Sequence, residues 1–421
     1  MKLLFLTPQL PYPPHKGTTL RNFNLIRQLA TDHEIHLLSF VDDESEVRWA
    51  EPLRDLCARI DVRRPPRRSL RRRGFDSLTS RLPDMALRLW TPAMRDLVRD
   101  ALARESFDVV QVEGIEMARY WLDVAQSPDL QQRARLSVFD EHNAEYVLQQ
   151  RAFETDVRRP RKWLGALYSF IQWHKLVGYE RRCLRAFDAV VAVSETDRDA
   201  LLRLAPDLNV SIVPNGIDTE FNAPRPPHTP TTFTLVFTGT MDFRPNVDAV
   251  TWFCAHVLPL IEEQVPDVRF TIVGVNPKKA VQRLAADPAV VVTGWVPDVR
   301  SYIQEAAVYV VPLRMGGGTR FKVLEAMALG VPIVSTRVGC EGIDLVPGEE
   351  ALLADEPAAF AAAVVSLLRD PARGAEMTRR ARRRVEAHYD WRAIVPRLAR
   401  VYEYTNARMD EWTNGRKALH S

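Results

Sequence analysis

The segment VYVVPLRMGGGTRFKVLEAMALGVPIVST, residues 308–336, gathers side chains and backbone suited to holding a charged ligand. An apolar run ends at Pro312, three glycines follow at Gly316, Gly317 and Gly318, and a helical pattern begins near Thr319 and stops at Gly330. Glycines let main chain approach a ligand closely, and the unpaired N–H groups and dipole of a first helical turn attract phosphate. Arg320 and Lys322 add positive side chains there. Glu325 sits beside the apolar stripe of Phe321, Leu324 and Ala328 rather than opposite it, so its carboxylate needs a partner. Either a nearby arginine or a pair of ligand hydroxyls, such as a ribose presents, would serve.

A second set of candidates lies earlier. His142 follows an apolar run in VFDEHNAEY, beside Asp140, Glu141 and Asn143, and Glu113 ends VVQVE. Residues at strand ends of this kind project hydrogen-bonding groups into a cleft. Arg244 follows FTGTMDF and offers another cation. No DxD pair closes a strand; Asp42 and Asp43 are adjacent in a loop. The cysteines at 57, 183, 254 and 340 form neither a metal clamp nor a disulfide scaffold, which suits a reducing cytoplasm.

These groups must be carried by strands and helices in alternation. A chain of 421 residues with 46% hydrophobic and 26% charged residues is long enough for two cores and is expected to be soluble and globular. Short apolar runs read as parallel strands at 2–7, 34–40, 107–112, 136–140, 189–194 and 210–214, and again at 233–238, 269–273, 290–293, 308–312, 333–335 and 351–353. Between the series, FNAPRPPHTPTT at 221–232 holds four prolines and reads as a linker. The expectation is an α/β protein with two doubly wound domains, 1–220 and 233–395, and a C-terminal helix or tail at 396–421 returning to the first domain. Helical spacing covers 376–412.

The formal charge of +3 argues against a nucleic-acid partner. Seven arginines within 63–73, around Pro65 and Pro66, demand a solvated loop or surface, and RRPRKW at 158–163 is similarly basic. Either stretch is a solvated face or a footing on anionic lipid. The apolar N-terminal run is too short for a signal peptide, and no window reaches the roughly 18 apolar residues of a membrane span. Any membrane contact is expected to be peripheral, at the inner face.

GGGTRFKVLEAMALGVPIVST resembles the nucleotide-binding signature of the retaining GT-B glycosyltransferases of family 4. PPHKG at 13–17, VVPNGIDTEFNAP at 212–224, FTGTMDFRPNVDA at 237–249, and FTIVGVNP followed by VVVTGWVPDV resemble other parts of that family in the same order. The resemblance implies a GT-B fold: two Rossmann-like domains with a nucleoside-diphosphate sugar between them. It assigns Glu325 to the nucleotide ribose as the second glutamate of E-x7-E. The first position of that motif is Gly317, a departure that leaves the donor sugar open, with the backbone of Gly317, Gly318 and Thr319 taking its place.

The family's arginine and lysine after the first strand of the second domain are matched only by Arg244, near Gly239; Arg244, Arg320 and Lys322 are expected to share the diphosphate. Gly294 and Val296, in GWVPDV, match the base-binding loop, where Trp295 is read as either loop or core. Gly17 and Lys16 match the wall near the leaving phosphate, and His142 matches a histidine contacting the donor sugar. The implied activity is a hexosyltransferase, EC 2.4, acting on a glycan or lipid-linked acceptor in polysaccharide biosynthesis, with no cofactor and no metal. A nucleotide-sugar epimerase and a non-catalytic nucleotide-sugar-binding protein stand as alternatives. A dinucleotide oxidoreductase is disfavoured, since the first strand leads to TPQLPYPPHKG rather than GxGxxG.

Overall fold

The computed structural model describes residues 1–405 apart from 15–16, 44–45, 47, 49, 158–162, 226–232, 317–319 and 404. The chain forms two compact units: residues 1–214 together with the segment from Val395 onward, and residues 215–394. Most of the proline-rich stretch at 221–232, the basic run 158–162 and the tail after 405 lie outside the described residues.

The first unit is built on strands β1 (Lys2–Thr7), β2 (Glu34–Phe40), β3 (Arg59–Arg63), β4 (Phe107–Glu113), β5 (Ala134–Glu141), β6 (Ala189–Ala192) and β7 (Val210–Ile212). They pair in the order β3-β2-β1-β4-β5-β6-β7, all parallel. Its principal helices are α1 (Gly17–Leu29), α2 (Leu70–Thr79), α3 (Ile115–Val124), α4 (Glu145–Val157) and α5 (Trp163–Leu184). A sheet covered on both faces needs apolar side chains at nearly every position, and Leu3, Leu4, Phe5 and Leu6 of β1 are fully buried.

Two elements of this unit depart from expectation. The edge strand β3, RIDVR, was absent from the sequence reading because its half-exposed residues show no apolar run. The arginine-rich stretch is not all loop: from Leu70 it is helix α2, whose N-cap Ser69 Oγ accepts from Arg72 N at 3.2 Å. Nor are all its charges solvated, since Arg68 is largely covered and bridges Asp76 and Asp84, both at 2.8 Å.

The second unit repeats the plan with β8 (Thr234–Thr238), β9 (Arg269–Val273), β10 (Val290–Gly294), β11 (Val308–Val311), β12 (Ile333–Ser335) and β13 (Leu352–Leu353). The order is β10-β9-β8-β11-β12-β13, again all parallel. Helices α6 (Arg244–His256), α7 (Phe321–Leu329) and α8 (Pro371–His388) cover it. In α7, Leu324 and Ala328 are buried, and Gly330 ends the helix in the left-handed conformation at φ 72°. In both sheets the strand order reverses beside the first strand, at β1/β4 and β8/β11. Doubly wound sheets bind ligands at the carboxyl ends flanking such points.

The C-terminal helical pattern starts earlier than 376 and is interrupted. The chain leaves helix at Tyr389 and Asp390 and resumes at 391–403, where Leu398 and Tyr402 are buried in the first unit and Tyr402 Oη meets Gln111 Oε1 at 3.1 Å. The segment from Val395 thus returns to the first unit, as expected. Asp390 causes the break. Its carboxylate accepts from Arg392 N at 2.8 Å, from Arg392 Nε at 2.9 Å and from the Thr219 hydroxyl, while Ile217 N donates to Tyr389 O at 2.8 Å.

Burial raises the Asp390 pKa, but hydrogen bonds from Arg392 and Thr219 outweigh it and bring the group down to about 2. Its stabilising contribution is present above the ordinary carboxylate value and is lost as pH falls through about 2. Replacing Asp390 with Ala should remove about 2–4 kcal/mol, because buried donors lose their acceptor. Urea unfolding at neutral pH checks this; a midpoint equal to that of the parent protein would contradict it.

Candidate functional site

In the second unit the carboxyl ends of three neighbouring strands are followed or closed by glycine. Gly239 follows β8, Gly274 follows β9 and Gly294 closes β10. A Cβ on Gly274 would lie 1.7 Å from Gly239 O, so only glycine permits this approach of two main chains. Gly274 N donates to Gly294 O at 3.1 Å, and Gly239 N to Val273 O at 3.0 Å. The result is a floor of bare backbone at the β8/β11 switch.

Lys322, in the first turn of α7, reaches onto this floor. Its Nζ donates to Thr238 O at 2.8 Å and to Asn246 Oδ1 at 3.0 Å, and stands 3.9 Å from the centroid of the Phe237 ring. Asn246 is fixed in turn, its Nδ2 donating to Thr240 O at 3.0 Å. A Cβ on Gly239 would fall 2.6 Å from Asn246 Nδ2 and 3.1 Å from Lys322 Nζ. Among the described residues the ammonium touches only neutral acceptors and a ring. Burial first, and Arg320 second, bring its pKa down to about 7, with Glu325 opposing.

Arg320 caps α7. Its Nε donates to Val338 O at 3.2 Å, its Nη2 lies 3.6 Å from Glu341, and its guanidinium is the group a Cβ on Gly316 would meet, at 3.1 Å. Glu325 stands one turn beyond Lys322 on α7. Among the described residues it forms no ion pair: Arg300 is held by Asp298 at 2.8 Å and donates to Phe221 O. Burial lifts the Glu325 pKa to about 7 against the pull of Lys322, with Asp298 raising it and Arg300 lowering it further. The arginine that would have neutralised Glu325 is therefore engaged elsewhere.

The structure brings Gly239, Lys322 and Asn246 together, and Gly316 with Arg320. Arg244 is the first residue of α6, in the same turn as Asn246. Val296 is half-buried against the core of its unit, whereas Trp295 is 71% exposed and belongs to the loop rather than the core. Gly317, Gly318 and Thr319 lie outside the described residues, as does Lys16, while Gly17 opens α1. Asn246 was not singled out from sequence, since nothing in its spacing reveals that it orients a lysine from another helix.

In the first unit a cavity of about 370 Å³ opens at the β1/β4 switch, lined by Gln9 after β1, Glu116 after β4, and Glu141 to Asn143 at the end of β5. His142 stands in this wall. Its Nε2 meets Glu113 Oε2 at 2.8 Å, and Glu113 is fully buried. Because a carboxylate only accepts, His142 Nε2 carries the hydrogen and Nδ1 remains an acceptor while the ring is neutral. Only the protonated ring would donate from Nδ1.

Behind the histidine, Arg21 donates from Nε and Nη2 to Asp140 Oδ2 at 3.0 and 2.7 Å, and Gln111 Nε2 donates to Glu113 Oε1 at 2.9 Å. Burial lifts Asp140 to about 6 although Arg21 opposes it. Donor atoms of Glu113, Asp140 and His142 lie within 4.8 Å of one another, a set that metals use, with the Arg21 guanidinium already bound to its carboxylate. Deeper still, burial and the neighbouring Glu180 carboxyl push Glu141 well above the usual range. Arg21 escaped the sequence reading; its one signal is a polar inward face on α1, where Thr19, Arg21, Asn22 and Asn24 are all buried.

Comparison with known proteins follows this division. Residues 16–221 match the family model described as Glycosyltransferase Family 4, and residues 232–370 match Glycosyl transferases group 1. The alpha-maltose-1-phosphate synthase of Mycolicibacterium smegmatis is 30% identical over 275 residues, covering 58% of this chain and 69% of that protein. A 44.6 kDa protein in the cps region of Klebsiella pneumoniae is 20% identical over 404 residues, 93% of this chain and 97% of its own. Among solved structures, sucrose-phosphate synthase from Thermosynechococcus elongatus superposes with a TM-score of 0.69 at 17% identity, covering 97% of this chain and 100% of that one. Anabaena HepE, solved with UDP, gives 0.64 at 14% identity, covering 96% and 100%. The matched sequence families and the two all-parallel sheets together make this chain a family 4 glycosyltransferase with the GT-B fold.

Proposed function

We propose that the protein is a retaining, metal-independent glycosyltransferase that moves a sugar from a nucleoside diphosphate to an acceptor hydroxyl in the synthesis of a polysaccharide or lipid-linked glycan. The observation that carries this reading is the Lys322 ammonium, which is held on a glycine floor by neutral acceptors and is short of negative charge. A diphosphate supplies that charge. Support for the nucleotide comes from HepE, solved with UDP and with UDP-glucose, and for the glycan role from the relative in a cps region.

In this reading Lys322, Arg320 and Arg244, with the backbone of Gly316 to Thr319, stabilise the charge that develops on the departing diphosphate. Glu325 accepts hydrogen bonds from the ribose hydroxyls, and Gly294 and Val296 lie along the base. The family resemblance assigns Lys16 and Gly17 to the leaving phosphate. The polar cavity at β5 takes the acceptor side, where His142, oriented by Glu113, contacts the sugar. Departure of the phosphate oxygen with the bonding electrons leaves an oxocarbenium-like sugar. The same phosphate then removes the proton of the acceptor hydroxyl as it attacks from that face, so no carboxylate nucleophile is required.

Nucleotide release should be seen with one of a panel of UDP-, GDP- and ADP-sugars, with full activity in excess EDTA and a product that keeps the donor's anomeric configuration by NMR. Inversion would contradict retention, loss of activity restored by manganese would contradict metal independence, and conversion of the donor sugar without an acceptor would indicate an epimerase. Calorimetry of Glu325→Ala should show nucleotide affinity lower by about tenfold or more, as expected when charged hydrogen bonds are lost. His142→Ala should instead slow turnover and leave nucleotide affinity unaltered; equal affinity losses in both variants would undo the division of roles.

A further inference from the structure

The first unit carries a surface that glycosyl transfer does not use. Among the described residues, fourteen large apolar side chains are exposed, and seven of them lie on α2, the end of α4 and the start of α5. This concentration marks a patch rather than the usual scatter of single exposed residues. On α5, Trp163 is 64% exposed, Leu164 87% and Leu167 56%, with Phe170 one turn further along the same stripe. On α2, Phe75 and Leu78 are 59% and 78% exposed.

The two helices lie side by side. Ser77 Oγ accepts from Gln172 Nε2 at 3.2 Å, and Lys175 Nζ donates to the carbonyls of Ser77 and Ser80, both at 2.6 Å. Arg73 bonds to the Tyr168 side chain. The contacts on α2 thus fall at 73, 77 and 80, and those on α5 at 168, 172 and 175, so the helices run parallel. Each helix keeps its polar seam inward, and the apolar residues beside that seam remain outside.

The exposed charges of α2 and the stretch before it are basic, whereas the end of α4 carries Glu154 and Asp156, the Asp156 carboxylate lying 3.9 Å from where a Cβ on Gly165 of α5 would stand. Arg64, Arg67, Arg71 and Arg72 are exposed, and Arg71 stands one turn before Phe75 on α2, while Arg72 reaches over the Phe75 ring at 5.9 Å. The single carboxylate of α2, Asp76, is tied to Arg68 and Arg72. On α5 the first carboxylate is Glu180, buried four turns away from the exposed end. Among the described residues, Arg64, Arg67 and Arg71 form no ion pair.

We infer that this face, formed by α2 and the first two turns of α5, seats the protein on an anionic lipid bilayer, with Leu164, Leu167 and Leu78 entering the acyl boundary and the arginines at the headgroups. Large apolar side chains flanked by long basic ones suit an interface that is oily below and negatively charged above. No described helix is long and apolar enough to cross a membrane, so the contact lies in the plane of one leaflet. The inference stands apart from the glycosyl-transfer reading, since it uses none of the residues assigned to nucleotide or sugar.

Sedimentation of the full chain with vesicles tests it. Binding to phosphatidylcholine mixed with phosphatidylglycerol should exceed binding to phosphatidylcholine alone and should weaken as salt is raised. Leu164→Ser together with Leu167→Ser should lower affinity by about tenfold or more, as loss of buried apolar area requires, and Arg67→Gln with Arg71→Gln should remove the preference for the anionic lipid. In the parent chain, brominated phosphatidylcholine in mixed vesicles should quench fluorescence that Trp163→Phe abolishes. Equal sedimentation with both vesicle types, an unaltered double-leucine variant, or absence of that quenching would overturn the proposal. So would a lipid-free dimer, detected by light scattering, that dissociates on Leu164→Ser, because it would assign the face to a second copy of the chain.

Discussion

The second unit is organised around a cation that, among the described residues, is held by neutral acceptors and has no carboxylate in direct contact, Glu325 acting on it only from one turn along α7. Lys322 is directed by α7 onto the last carbonyl of β8 and across the face of Phe237, and a Cβ on Gly239 would crowd it at 3.1 Å and its partner Asn246 at 2.6 Å. A desolvated ammonium satisfied only by neutral groups loses its proton readily, as its pKa near 7 records. In the proposed function, the diphosphate restores the charge. Gly274 answers a different need, the 1.7 Å approach its Cβ would make to Gly239 O, and Gly294, beside open space, is required by its φ of 72°.

The first unit solves a different electrostatic problem with the same strand order. At its switch point the buried groups are mainly carboxylates, and one arginine, Arg21, neutralises Asp140 beneath the histidine. Glu113 then turns His142 so that Nε2 points inward to its carboxylate at 2.8 Å and Nδ1 takes no part in that contact. Two copies of one topology thereby present opposite electrostatics: a lysine on a floor of bare backbone, and a cavity lined with carboxyl groups.

Much of the scaffold is legible in the sequence because buried parallel strands must be apolar throughout. β1, β2, β9 and β12 coincide residue for residue with the apolar runs read from composition, and the α7 signature yields its glycine stop at Gly330. What escapes is what depends on partners distant in the chain or on solvent. β3 is an edge strand with alternating charge, and α2 hides its helical seam among arginines. Asn246 and Arg21 gain meaning only from Lys322 and Asp140, 76 and 119 residues away. Glu325 illustrates the converse: its sequence position left two partners open, and the structure occupies the arginine with Asp298.

Proton uptake on nucleotide binding probes Lys322 most directly. Calorimetric titration of the protein with UDP or GDP, in buffers of different ionisation enthalpy and slightly above pH 7, counts the protons exchanged. There more than half of Glu325 is ionised and more than half of Lys322 is neutral, so a diphosphate that recharges Lys322 must draw protons from the buffer. Uptake that disappears in Lys322→Met is the predicted result. Tight nucleotide binding with no proton exchange in the parent protein, or the same uptake in the variant, would contradict the placement of the diphosphate on Lys322.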